Sequence, residues 1–115
     1  MLELLRNKAR IWAHVRALLA SAGVPLDQQS EVWGPIVADQ WDHSGRILIQ
    51  QYVSLLVRRQ ESTTGSVVWR LVRQVNLVNE TGGQLSAPLV REMNRESAEY
   101  WLVENRVATT QSRRF

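Results

Sequence analysis

Residues 2–22 carry the most constraining pattern in the chain. Leu4, Leu5, Ile11, Trp12, Val15, Leu18, Leu19 and Ala22 recur at 3.6-residue spacing, the period of a helix with one apolar stripe. Arg6, Arg10 and His14 lie opposite, among Ala13 and Ala17, while Lys8 projects from the stripe and is expected to snorkel to water. Gly23 and Pro25 then stop the helix. Such a helix needs a partner surface, and 115 residues suffice for one core. Because the chain has no cysteine, that core cannot lean on disulfides, and thiol nucleophiles and cysteine-held metals are excluded.

The rest of the chain is read as mainly α, a single domain of about four helices spanning 1–115. Residues 24–41 contain Pro25, a polar DQQSE stretch, Gly34 and Pro35, and are expected to form a loop with a short helical turn ending near Trp41. A second helix is predicted over 42–60, capped by Asp42 and burying Leu48, Tyr52, Leu55 and Leu56. Arg58 and Arg59 fall in its last turn, where cations complement the helix dipole. ESTTGS at 61–66 reads as a turn. Residues 66–78 are ambiguous: Val67, Trp69 and Leu71 alternate like a strand, whereas Val68, Val72 and Val75 fit a helix, and the reading leans to helix. NETGG at 79–83 is a loop. A last helix is predicted over 88–107, started by Pro88, with Leu89, Met93, Tyr100, Val103 and Val107 on its apolar face. On its charged face Arg95 is spaced to pair with Glu99. Residues 108–115 are expected to be an exposed tail.

Chemistry-bearing patterns are sparse. His14 and His43 lack a second histidine at metal-binding spacing, and neither GxxxxGK[ST] nor GxGxxG occurs. No serine sits in a nucleophile signature. The expectation is a protein that is not an enzyme, has no cofactor and works by binding macromolecules. No apolar run reaches membrane-spanning length and no secretion signal is visible, so no membrane partner is expected. Thirteen of the 14 basic residues are arginine and the net charge is +3, a composition suited to phosphates and carboxylates. Arg6, Lys8, Arg10 and Arg16 on the first helix are the candidate DNA-binding set. Trp12, Trp69 and Trp101, three of five tryptophans, are candidate core residues and candidate anchors of a subunit interface.

Three features in order resemble the small terminase subunits of tailed bacteriophages. The first is W-x-x-I-V, here Trp33, Ile36 and Val37, followed by Asp42, Leu48 and Tyr52. The second is TGGQLSAPL, with Gly82, Gly83, Pro88 and Leu89. The third is the terminus ATTQSRRF, with Thr109, Ser112 and Arg113. The resemblance covers residues 31–115. It implies a role in viral genome packaging in the cytoplasm of the bacterial host: a homo-oligomeric ring that engages viral double-stranded DNA and regulates the large terminase subunit. Arg113 and Arg114 would then contact that large subunit. Two other readings stay open: a structural phage-assembly oligomer without DNA contact, and a small DNA-binding transcriptional regulator.

Overall fold

In the computed structural model, residues 8–41, 49–61, 63–79, 81–105 and 113–114 are described. Their order is α1 (Lys8–Ser21), β1 (Ser30–Trp41), β2 (Ile49–Gln60), β3 (Val67–Asn79), β4 (Gly82–Leu85), β5 (Leu89–Met93), α2 (Arg95–Glu104) and β6 (Arg113–Arg114). The mainly helical expectation is therefore wrong. A single antiparallel sheet runs β4-β3-β2-β1-β6, with β5 also paired to β3. Two helices, not four, are present among the described residues, and they pack on opposite faces of the sheet.

Of the helix predicted over 2–22, Lys8–Ser21 is helical and ends as expected, while residues 2–7, with Leu4 and Leu5, lie outside the described residues. Gly23 takes a positive φ of 70°, and Val24 N–H reaches back to the Leu19 carbonyl at 3.0 Å. Val15, Leu18 and Leu19, spaced i, i+3 and i+4, meet Val32, Val53, Leu55, Val57 and Val72 of the sheet. Each such side chain, taken fully out of water, contributes about 1.5–3 kcal/mol.

The helix predicted over 42–60 is strand β2 at 49–60; Asp42 and Leu48 lie outside the described residues. Leu55 and Val57 face α1 whereas Leu56 faces α2. A central strand covered on both faces reads as a continuous apolar run, so its period of two is hidden. Segment 66–78, which leaned to helix, is strand β3. Its five valines lose rotamer freedom in a helix and pack well on a pleated surface. The loop expected over 24–41 holds a 12-residue strand. Its Gly34 and Pro35 form not a helical turn but an irregularity between Trp33 and Ile36. Gly34 has φ of 120°, and a Cβ there would stand 3.0 Å from the Ser54 carbonyl oxygen.

The last predicted helix, 88–107, is divided. Among its described residues Leu89–Met93 extends along β3 and Arg95–Glu104 is helical, while Val107 lies outside them. Asn76 opposes Leu85 and Arg73 opposes Leu89, so β4 and β5 act as one strand bulged at 86–88. Pro88, without an N–H, belongs at such a break. Ser86 repairs it: its hydroxyl accepts from Val75 N–H at 3.1 Å, and its carbonyl accepts from Gln74 Nε2 at 3.0 Å. The helix proper is capped by Asn94, whose side chain accepts from Ser97 N–H at 2.8 Å. The exposed tail expected over 108–115 is also corrected in part, since Arg114 and Arg113 pair as strand β6 with Glu31 and Val32.

The α1–β1 loop is tied to the sheet by ions. Asp27 accepts from Arg59 Nη2 at 2.6 Å, Glu61 accepts from Arg59 Nη1 at 2.6 Å, and Arg70 Nη2 lies 3.7 Å from Glu61. The Arg59 hydrogen bond holds the Asp27 carboxyl below its ordinary value of 3.8, and bonds from Asp27 and Glu61 hold the Arg59 guanidinium above its own.

Candidate functional site

Register decides which side chains share the α2 face. Tyr52, Ser54, Leu56 and Arg58 of β2 stand opposite Val75, Arg73, Leu71 and Trp69 of β3. Strand β1 adds Trp33, Ile36 and Ala38, and β5 adds Leu89, Arg91 and Met93. At one end of this face Trp33 and Trp69 stack with ring centroids 5.6 Å apart. The Arg58 guanidinium lies 5.9 Å from the Trp69 ring centre, within cation–π range. In the middle, Trp101 and Ala98 of α2 bury against Leu56 and Leu71.

No described residue covers the far part of the face. A ten-residue helix is about 15 Å long, whereas strands of 12 and 13 residues reach roughly 40 Å. Beyond the C-terminal end of α2 this mismatch leaves a cleft of about 590 Å³, floored by Ile36, Ala38, Tyr52, Ser54, Arg73 and Val75. Its walls are Ser86 and Leu89 on one side and Trp101, Glu104 and Asn105 on the other. Arg73, Trp101 and Glu104 also line an adjoining hollow of about 470 Å³ with Arg91, Glu96 and Tyr100. Arg73 Nε donates to Ser54 Oγ at 3.4 Å. Among the described residues it meets no carboxylate at ion-pair distance. Glu104 instead accepts from the Tyr100 hydroxyl, which raises the Tyr100 pKa. Chemically the cleft offers an apolar floor, one accessible guanidinium and a few hydroxyl and amide groups. Among the described residues no His, Asp or Glu bonds to Ser54, and no cluster of three or more metal-ligating side chains occurs.

The expected DNA-binding set is not visible as a set. Arg6 lies outside the described residues. Lys8 and Arg10 have their backbone in the first turn of α1 but their side chains lie outside the description, and Arg16 is exposed on α1. Arg113 and Arg114 are described as backbone of β6 only. The three tryptophans are not gathered on one surface. Trp12 packs on the α1 face, Trp69 and Trp101 on the α2 face, and Trp101 is 9% exposed. The Arg95–Glu99 pair is present, with Nε to Oε1 at 2.9 Å. The residues that the sequence reading missed are Ser54 and Arg73. The alternation seen at Val67, Trp69 and Leu71 was their signal, because carrying it two steps on puts Arg73 and Val75 on the same face. No protein-family model, curated protein or solved structure matches the chain.

Proposed function

We propose that the protein is a non-catalytic assembly component that binds protein partners, a further copy of itself first, along the β4–β5 edge and the outer side of α2. One observation carries this reading. Of the six large hydrophobic residues exposed among the described ones, five lie on β4, β5 and α2: Leu85 (58%), Leu89 (71%), Val90 (42%), Tyr100 (65%) and Val103 (68%). Large apolar side chains left in water on adjoining elements are what a partner would cover. Along the same side β5 pairs only with β3 among the described residues, and an open strand edge can accept another strand.

Genome packaging, with viral DNA and the large terminase subunit as partners, is the specific form of this reading that the terminase resemblance suggests. It draws support from the arginine-rich composition. Sedimentation velocity across micromolar concentrations tests the general reading. Assembly beyond a dimer is expected, and Tyr100→Glu with Val103→Glu should shift it toward monomer. A wild-type chain that stays monomeric throughout overturns self-assembly. Titration with duplex DNA at several salt concentrations tests the packaging form. Each phosphate contact contributes a slope of about 0.9 in log affinity against log salt, and absence of binding at low salt removes the DNA role.

A further inference from the structure

We infer that the cleft beside α2 binds a small amphipathic anion, a monocarboxylate or sulfonate with an apolar body, whose charged group sits on Arg73. This goes beyond the assembly role, which uses the outer side of α2 and the sheet edge and shares only Leu89 with the cleft. The volume, about 590 Å³, falls in the range of small-molecule sites, which pair apolar walls with few polar groups. Ile36, Ala38, Val75, Leu89 and Trp101 supply the apolar lining.

The polar side is specific. Arg59, Arg70 and Arg95 each meet a carboxylate, Arg58 lies beside Trp69 and Arg91 lines the adjoining hollow. Among the described residues Arg73, the one guanidinium lining the cleft itself, meets only the Ser54 hydroxyl at 3.4 Å. Its planar fork is thus left to grip two oxygens of a carboxylate or sulfonate with two parallel bonds. Glu104 in the wall sets the charge limit. Its carboxylate, held by Tyr100, repels a multiply charged group such as phosphate more than a monoanion. The ligand therefore combines one negative charge with an apolar body able to fill the floor.

The test uses the full chain and anilinonaphthalene sulfonate, an aromatic monoanion whose fluorescence rises in apolar sites. One saturable site is expected, displaced by decanoate but not by decanol or inorganic phosphate. Arg73→Gln should weaken binding about ten-fold or more, the loss of a charge-assisted pair. Arg73→Lys should recover part of it. Glu104→Gln should tighten binding, and Arg95→Gln should leave it unchanged. Circular dichroism confirms that each variant is folded. Should Arg73→Gln not fold, the opposite shifts expected for Arg73→Lys and Glu104→Gln still decide the matter. Equal displacement by decanol and decanoate, displacement by phosphate, or affinity indifferent to Arg73 and Glu104 overturns the assignment.

Discussion

Trp101→Ala separates a core tryptophan from an interface tryptophan. The side chain is 9% exposed and packs among Leu56, Leu71 and Ala98, with Trp33 and Ile36 against the same cluster. An indole burying roughly 200 Å² at about 25 cal/mol/Å² gives an upper bound near 5 kcal/mol. Measured Trp→Ala losses in cores run at about 3–5 kcal/mol, so about 3–4 kcal/mol is expected here. For 115 residues the total stability is on the order of 6–17 kcal/mol, so the variant forfeits a large share of it. The assay is urea denaturation at two protein concentrations ten-fold apart. A core role lowers the midpoint equally at both. A loss below about 1 kcal/mol, with a change in sedimentation alone, would refute the packing argument and return Trp101 to the subunit interface.

Gly34→Ala should cost about 1–3 kcal/mol in the same assay, because φ of 120° and a Cβ 3.0 Å from the Ser54 carbonyl combine strain with a backbone clash; an unchanged midpoint would contradict that geometry. Asp27→Asn should lower the thermal midpoint at neutral pH. Because folding depresses the Asp27 pKa, its contribution is present above 3.8 and is lost as pH falls through the folded value, so wild type and variant should converge in acid. Burial lowers the His14 pKa from 6.5, so the unfolded chain takes up its proton first. Wild-type stability should therefore fall as pH drops from about 6.5, and His14→Gln should flatten that slope in melts across this window.

The legible parts of the fold were those in which one face is wet. Helix α1 alternates buried Val15, Leu18 and Leu19 with exposed Arg16 and Ala17, and its period survives in the sequence. The turns between β2 and β3 and between β3 and β4 announced themselves through Gly, Asn and Thr, although Gly82 and Gly83, read as loop, belong to β4. Strand β2 was illegible because both of its faces are buried along Val53–Val57, and Tyr52, Leu55 and Leu56 mimic helical spacing while dividing between opposite faces. Pro88 misled for a local reason: a proline before a polar helix reads as a first-turn residue, yet here it sits in a bulge whose missing bonds Ser86 supplies. The alternation at Val67, Trp69 and Leu71 places Arg73 on a face but not in a cleft, because its neighbours on the cleft floor, Ile36 and Ser54, arrive from other strands.

The Asp27–Arg59–Glu61–Arg70 chain of ions sits where β2 turns into β3, and the cleft lies further along the same strands. Local opening should therefore be graded along the sheet. Amides near Val57 and Val72, between a salt-bridged turn and a packed helix, should exchange with solvent only when the whole domain opens. Those near Tyr52 and Val75, with no helix above them on the α2 face among the described residues, should exchange through smaller excursions. The molecule is built like a clasp, fastened by ions at one end, and whatever enters the cleft would tighten the other.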